Sequence, residues 1–118
     1  VTAFNQLIHV EALLDSMLPN QPINREFLDQ RTGATLVEFG AAWCGHCQAA
    51  QASISAAINA YPNIHHIKIE DGKGQRLGRT YAVKLWPTLI LLQDGVEVDR
   101  LVRPLSENSI TAALAQLK

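Results

Sequence analysis

The feature that most constrains this chain is the run Leu36-Val37-Glu38-Phe39, which leads through a short loop into Trp43-Cys44-Gly45-His46-Cys47 and then into an alanine-rich segment from Gln48 to Tyr61. The first run is apolar, carries valine and phenylalanine and is bounded by turn residues. It reads as a buried strand with one acid that needs an explanation. In the segment that follows, Ile54, Ile58 and Tyr61 fall on one stripe, so a helix is expected from near Cys44 until Pro62 stops it. Both cysteines of the chain therefore stand at a strand-to-helix junction with two residues between them. A bridge between them closes a very small loop and constrains the unfolded chain little, so the pair is suited to chemistry more than to stapling.

The rest of the chain builds one α/β domain around that junction. At 118 residues, 47% hydrophobic and 18% charged, it has the size and composition of a single soluble globular unit. Phe4, Leu7, Ile8, Leu14 and Leu18 recur at three- and four-residue steps and predict an amphipathic helix that Pro19-Asn20-Gln21-Pro22 breaks. Residues 1–22 thus read as a helical extension to a domain spanning 23–118. Asn24 is placed to cap a short helix to about Arg31, with Phe27 and Leu28 inward and Gly33 at its end. Ile64, Ile67 and Ile69 predict a second strand, Gln75 to Ala82 a short helix with Leu77 and Tyr81 inward, and Thr88 to Leu92 a further buried strand. Asp94-Gly95 is a strong hairpin signal, and Val96, Val98 and Leu101 continue as the returning strand. Ser106 can cap a final helix with Ile110, Leu114 and Leu117 on one face. The order (α)αβαβαββα describes a mixed central sheet flanked by helices on both faces.

Charge and hydropathy exclude some functions. A formal net charge of −1 gives no field to hold nucleic acid. No apolar run approaches the ~20 residues of a membrane-spanning helix, and Val1-Thr2-Ala3-Phe4 lacks the basic-then-apolar pattern of a leader. Cytoplasmic residence is expected, with the periplasm or another oxidising compartment open had an earlier segment been removed.

The chemistry follows from where the sulfurs sit. A cysteine in the first turn of a helix faces unpaired N–H groups and the positive end of the dipole, both of which favour thiolate. Cys44 is the expected nucleophile. Cys47, one turn on, can attack a mixed disulfide at Cys44 and release the reduced partner. His46, as donor or cation, can stabilise the thiolate and points to a more oxidising couple than a Gly-Pro spacer gives. Half a zinc site is the lesser reading, because no second cysteine pair accompanies His9, His46, His65 and His66. Haem attachment fails because Gln48 follows Cys47.

With Leu36 to Cys47 followed by Trp86-Pro87-Thr88 and Asp94-Gly95, the chain resembles the thioredoxin family from about Asn24 to Leu117. The Gly45-His46 spacer and Glu38 resemble the catalytic domains of protein disulfide isomerases in particular. The resemblance implies a thiol:disulfide oxidoreductase acting on protein disulfides, with no bound cofactor or metal, a reductase or oxidant as redox partner, and a monomeric state. It also implies that Cys44 is exposed and Cys47 more buried.

Position by position, the resemblance makes Pro87 a cis-proline whose preceding backbone pairs with an extended substrate segment, with Gly45, Trp86 and Thr88 beside it. Trp43 becomes an apolar landing surface over the dithiol. Glu38 becomes a buried carboxylate beneath Cys47, its pKa raised by burial, that takes the Cys47 proton; a strand-end acid turned to solvent is the alternative. Lys68 is either the cation paired with Glu38 or a solvent-facing strand lysine. Trp86 either narrows the groove or packs inward. Gly40 replaces a common aromatic residue and is expected to loosen the loop. Arg103 stands where relatives often have glycine, and surface solvation is expected over electrostatic help to the thiolates. His65 and His66 read as strand residues with one exposed. A binding or chaperone module on the same scaffold, with little turnover, is the competing function.

Overall fold

The computed structural model describes residues 23–72, 75–104 and 106–118. The N-terminal helix expected before Pro19 lies outside these. The described elements are α1 (Arg25–Asp29), β1 (Ala34–Gly40), α2 (Gly45–Asn59), β2 (His65–Glu70), α3 (Arg76–Thr80), β3 (Thr88–Gln93), β4 (Val96–Val102) and α4 (Glu107–Leu114). The strand order is β2-β1-β3-β4, with β1 parallel to β2 and antiparallel to β3, and β3 antiparallel to β4.

Central β1 and β3 are buried over almost their whole length, because helices cover both faces of the sheet. That is why their sequences are continuous apolar runs without polar alternation. On one face Leu36, Leu89 and Leu91 meet Ala50, Ile54 and Ala57 of α2 and Ile110, Ala113 and Leu114 of α4. The alanines of α2 stand where the helix lies close on the sheet. On the other face Val37, Phe39, Ile67, Ile90 and Leu92 meet Leu28 of α1 and Leu77 and Tyr81 at α3. Each fully buried leucine of these layers contributes ~1.5–3 kcal/mol over leaving it in water.

The ends of the elements follow local chemistry. Asn24 caps α1 by accepting from Phe27 N–H at 2.8 Å, and Ser106 caps α4 by accepting from Ser109 N–H at 3.2 Å. Asp94 and Gly95 turn the β3–β4 hairpin with φ of +52° and +83°, the left-handed pair a two-residue turn of this hand requires. A Cβ at Gly95 would collide with the Asp29 carbonyl, so glycine there also lets α1 approach.

Some expectations are corrected. Phe27 is 44% exposed, because five-residue α1 has room for one inward side chain and Leu28 takes it. Helix α3 is shorter than Gln75 to Ala82: Ala82 turns left-handed at φ +55° and ends it. Val96, Val98 and Leu101 do lie on the returning strand, the two valines exposed on this sheet edge. Leu117 packs on the core from beyond the end of α4.

Candidate active site

Cys44 is the N-cap of α2, and its Sγ accepts from the Cys47 N–H at 3.2 Å. Burial alone would raise its pKa. The Cys47 thiol, the main-chain N–H groups of Cys47 and His46, and the Arg103 charge together outweigh burial and hold Cys44 below the ordinary thiol range. Cys47 goes the other way. Burial, the hydrogen bond to Cys44, and the negative charges of Cys44 and Glu38 push it up to about 11, against a backbone hydrogen bond at Ala41. The two thiols are thus split into one poised to ionise and one held protonated.

Both cysteines are buried to a similar extent, 7% exposed for Cys44 and 6% for Cys47. This corrects the expectation of an exposed Cys44. The cause is Trp86, whose side chain packs against Ala41, Cys44 and Cys47. Its indole Nε1 donates to Asp71 Oδ2 at 2.9 Å, and Asp71 N–H donates to the Gly40 carbonyl at 2.7 Å. Trp86 therefore packs inward, and it also carries Trp43, which stands edge-on to it with ring centroids 5.4 Å apart. Trp43 itself is 70% exposed, a surface aromatic and not a core one. Gly40 is explained from the same side: a Cβ there would lie 2.8 Å from Cys47 Sγ, so the glycine makes room for the thiol.

Glu38 is 3% exposed on β1, and its carboxylate is fully engaged. His66 Nε2 lies 2.8 Å from Oε1, and Gln51 Nε2 donates to Oε2 at 2.8 Å. Burial raises its pKa, but these hydrogen bonds with the Lys68 and His66 charges prevail, and Glu38 titrates below its ordinary value. The expected upward shift is thereby corrected in sign. Lys68 sits opposite Glu38 in the β1–β2 register but donates to Gln51 Oε1 at 3.0 Å, so its link to the acid runs through the amide and not through a direct pair. Gln51 also donates to the Cys47 carbonyl at 3.2 Å, tying the acid to the turn that bears the thiol. A cleft of about 330 Å³ lined by Glu38, Gly40, Cys47, Gln48, Gln51 and Lys68 opens beside them.

The sequence does not single out Gln51, and it offers His66 only as a strand residue or a metal ligand, not as a partner of Glu38. Gln51 follows Cys47 by one helical turn, a spacing that places it on the same face. His66 becomes a neighbour of Glu38 only once the parallel register Leu36↔His66 and Glu38↔Lys68 is known.

The Trp86–Pro87 peptide bond is cis, Pro87 is buried, and Cys44 Sγ lies 4.0 Å from the Trp86 carbonyl oxygen. Arg103 Nε donates to that same oxygen at 2.9 Å, and the Arg103 N–H donates to the Pro87 carbonyl at 2.8 Å. Arg103 is half-buried, which corrects the expectation of a solvated surface residue. Gly45 and His46 lie exposed at the start of α2. Thr88 does not reach the groove: it is 1% exposed and its hydroxyl donates to the Leu85 carbonyl at 2.6 Å, because the first residue of β3 is already inside the sheet. Among the described residues, no three His, Cys, Asp or Glu side chains come together as a metal set, and no helix is long and apolar enough to cross a membrane.

A split dithiol at a helix N-terminus, beside a cis-proline and above a buried carboxylate on a mixed sheet, defines a thiol:disulfide oxidoreductase. The family model for thioredoxin matches residues 20–116, and the chain belongs to the thioredoxin family. It is 39% identical over 67 residues to thioredoxin-2 of Pyricularia oryzae, a match covering 57% of this chain and 39% of that protein's length. It is 31% identical over 85 residues to thioredoxin of Chlamydia trachomatis, covering 72% of this chain and 83% of the relative. The structure of reduced thioredoxin 2 from Pseudomonas aeruginosa superposes with a TM-score of 0.73 at 50% identity, over 80% of this chain and 88% of that one.

Proposed function

We propose that the protein reduces or exchanges disulfides of other proteins, with Cys44 attacking, Cys47 resolving, Glu38 receiving the Cys47 proton and the Trp86–Pro87 edge holding an extended substrate segment. The observation that carries the reading is the split between the two thiols, Cys44 lowered and Cys47 raised to about 11. The first ionises more readily than an ordinary thiol, while the second needs a base when it attacks. Glu38 is ionised and can accept that proton, its lowered pKa making it the weaker base for it.

The finer likeness to disulfide isomerases rests on the Gly45-His46 spacer. Its support in the structure is the main-chain N–H of His46, which stabilises the Cys44 thiolate and which a proline in that position would lack. A couple more oxidising than one with a Gly-Pro spacer follows. The redox partner is a protein reductase or oxidant, and the protein acts as a monomer.

Insulin reduction by dithiothreitol tests the reading. The wild type is expected to accelerate it, and Cys44→Ser to abolish the acceleration. An inert wild type, or a Cys44→Ser, Cys47→Ser double variant that keeps its function, refutes it in favour of a binding module.

A further inference from the structure

Arg103 does something that dithiol exchange does not require. It occupies the left-handed region at φ +51°, where glycine is the residue of least strain, and is clamped there by main-chain and side-chain hydrogen bonds to the Pro87 and Trp86 carbonyls. The clamp uses Nε. Among the described residues, the two terminal amino groups of the guanidinium make no hydrogen bond, and no carboxylate pairs with them. The acids nearest the site are committed elsewhere: Asp71 is 7% exposed and holds the Trp86 indole, and Glu70 accepts from Ala42 N–H on the cleft side of the loop. Around the groove, Trp43, Leu85 and Val102 are exposed at 70%, 45% and 49%. The surface is an apolar shelf with one fixed cationic fork.

We propose, resting on the oxidoreductase reading above, that Arg103 selects substrate segments carrying an acidic residue two positions from the reacting cysteine. Cys44 Sγ and Arg103 Nε approach the same Trp86 oxygen, at 4.0 and 2.9 Å, so the two are separated by no more than about the span of two residues of extended chain. In an extended segment, side chains two residues apart share a face. A carboxylate at that spacing meets the free amino groups side-on, the geometry a guanidinium fork fits.

The test uses the reduced full chain and three disulfide-linked peptides of identical apolar sequence, with Glu, Gln or Lys two residues from the cysteine. In a single turnover the peptide disulfide gains two electrons and two protons and leaves as two thiols, while Cys44 and Cys47 become a disulfide. The second-order rate for the Glu peptide is expected to exceed that for the Lys peptide about tenfold at low salt, with the ratio shrinking as salt rises. Arg103→Gly, which suits the φ, brings the ratio to about one, and Arg103→Glu inverts it. The ratio cancels any change in Cys44 reactivity, because that scales all three peptides alike. Equal rates in the wild type, or a ratio unchanged in Arg103→Gly, overturn the inference and leave the oxidoreductase reading intact. Failure to reduce any of the three overturns both.

Discussion

Replacing His46 separates the imidazole from the main chain behind it. In the structure the His46 side chain is exposed at the second position of α2, whereas its N–H helps hold the Cys44 thiolate. His46→Pro deletes that N–H at a place in the first helical turn where proline is tolerated, and His46→Ala deletes only the ring. A main-chain contribution of about 1 kcal/mol, added to the hydrogen bond that the Cys47 N–H makes to Cys44 Sγ at 3.2 Å, changes the thiolate-to-thiol ratio at Cys44 about fivefold. Because it stabilises the reduced form, its loss lowers the potential by about 20 mV. Equilibration with glutathione gives the potential, and absorbance of the thiolate gives the pKa. His46→Pro is expected to raise the Cys44 pKa and make the couple more reducing, while His46→Ala moves each by less than half as much. A His46→Ala shift as large as that of His46→Pro would refute the main-chain argument and return the effect to the imidazole.

Other outcomes follow from the buried acid and its neighbours. Glu38→Gln is expected to leave attack by Cys44 within about twofold and to slow resolution by Cys47 about 100-fold at pH 7, the rate climbing with pH; quenched-flow trapping of the mixed disulfide measures both steps. Glu38 titrates lower folded than unfolded, so its contribution to stability is present above about pH 4.5 and lost as pH falls through the folded value. Urea midpoints from pH 3 to 7 should therefore show an acid limb that is shallower in His66→Ala. An equally steep limb in that variant removes His66 from the network. Gly40→Ala is expected to destabilise the reduced protein by about 1–3 kcal/mol, since its Cβ would lie 2.8 Å from Cys47 Sγ; an unchanged urea midpoint counts against that contact.

What the sequence made legible is whatever is written in consecutive residues. The Leu36 to Tyr61 strand–loop–helix unit, the Asp94-Gly95 hairpin and the Asn24 and Ser106 caps each depend on contacts within a few positions, and each is found where expected. Side-chain direction at short elements was not legible: Phe27 and Leu28 are equally apolar, and five-residue α1 buries one of them. Thr88 reads as a groove residue beside Pro87 until the sheet is assembled around it. The sign of the Glu38 shift depends on His66 and Gln51, brought to the acid by a parallel register and by a helix packed over the strand. The left-handed backbone of Arg103 is set by the Pro87 and Trp86 carbonyls, and its local sequence carries no glycine to announce the turn.

The division of labour between the thiols is tested most directly by following the Cβ resonances of both cysteines in the reduced, unmodified protein from pH 5 to 12. Cys44 is expected to titrate below the ordinary thiol value and Cys47 near 11. Two thiols titrating together at the ordinary value of about 8.5, or Cys47 ionising first, would contradict the assignment of Cys44 as nucleophile and Cys47 as resolving thiol.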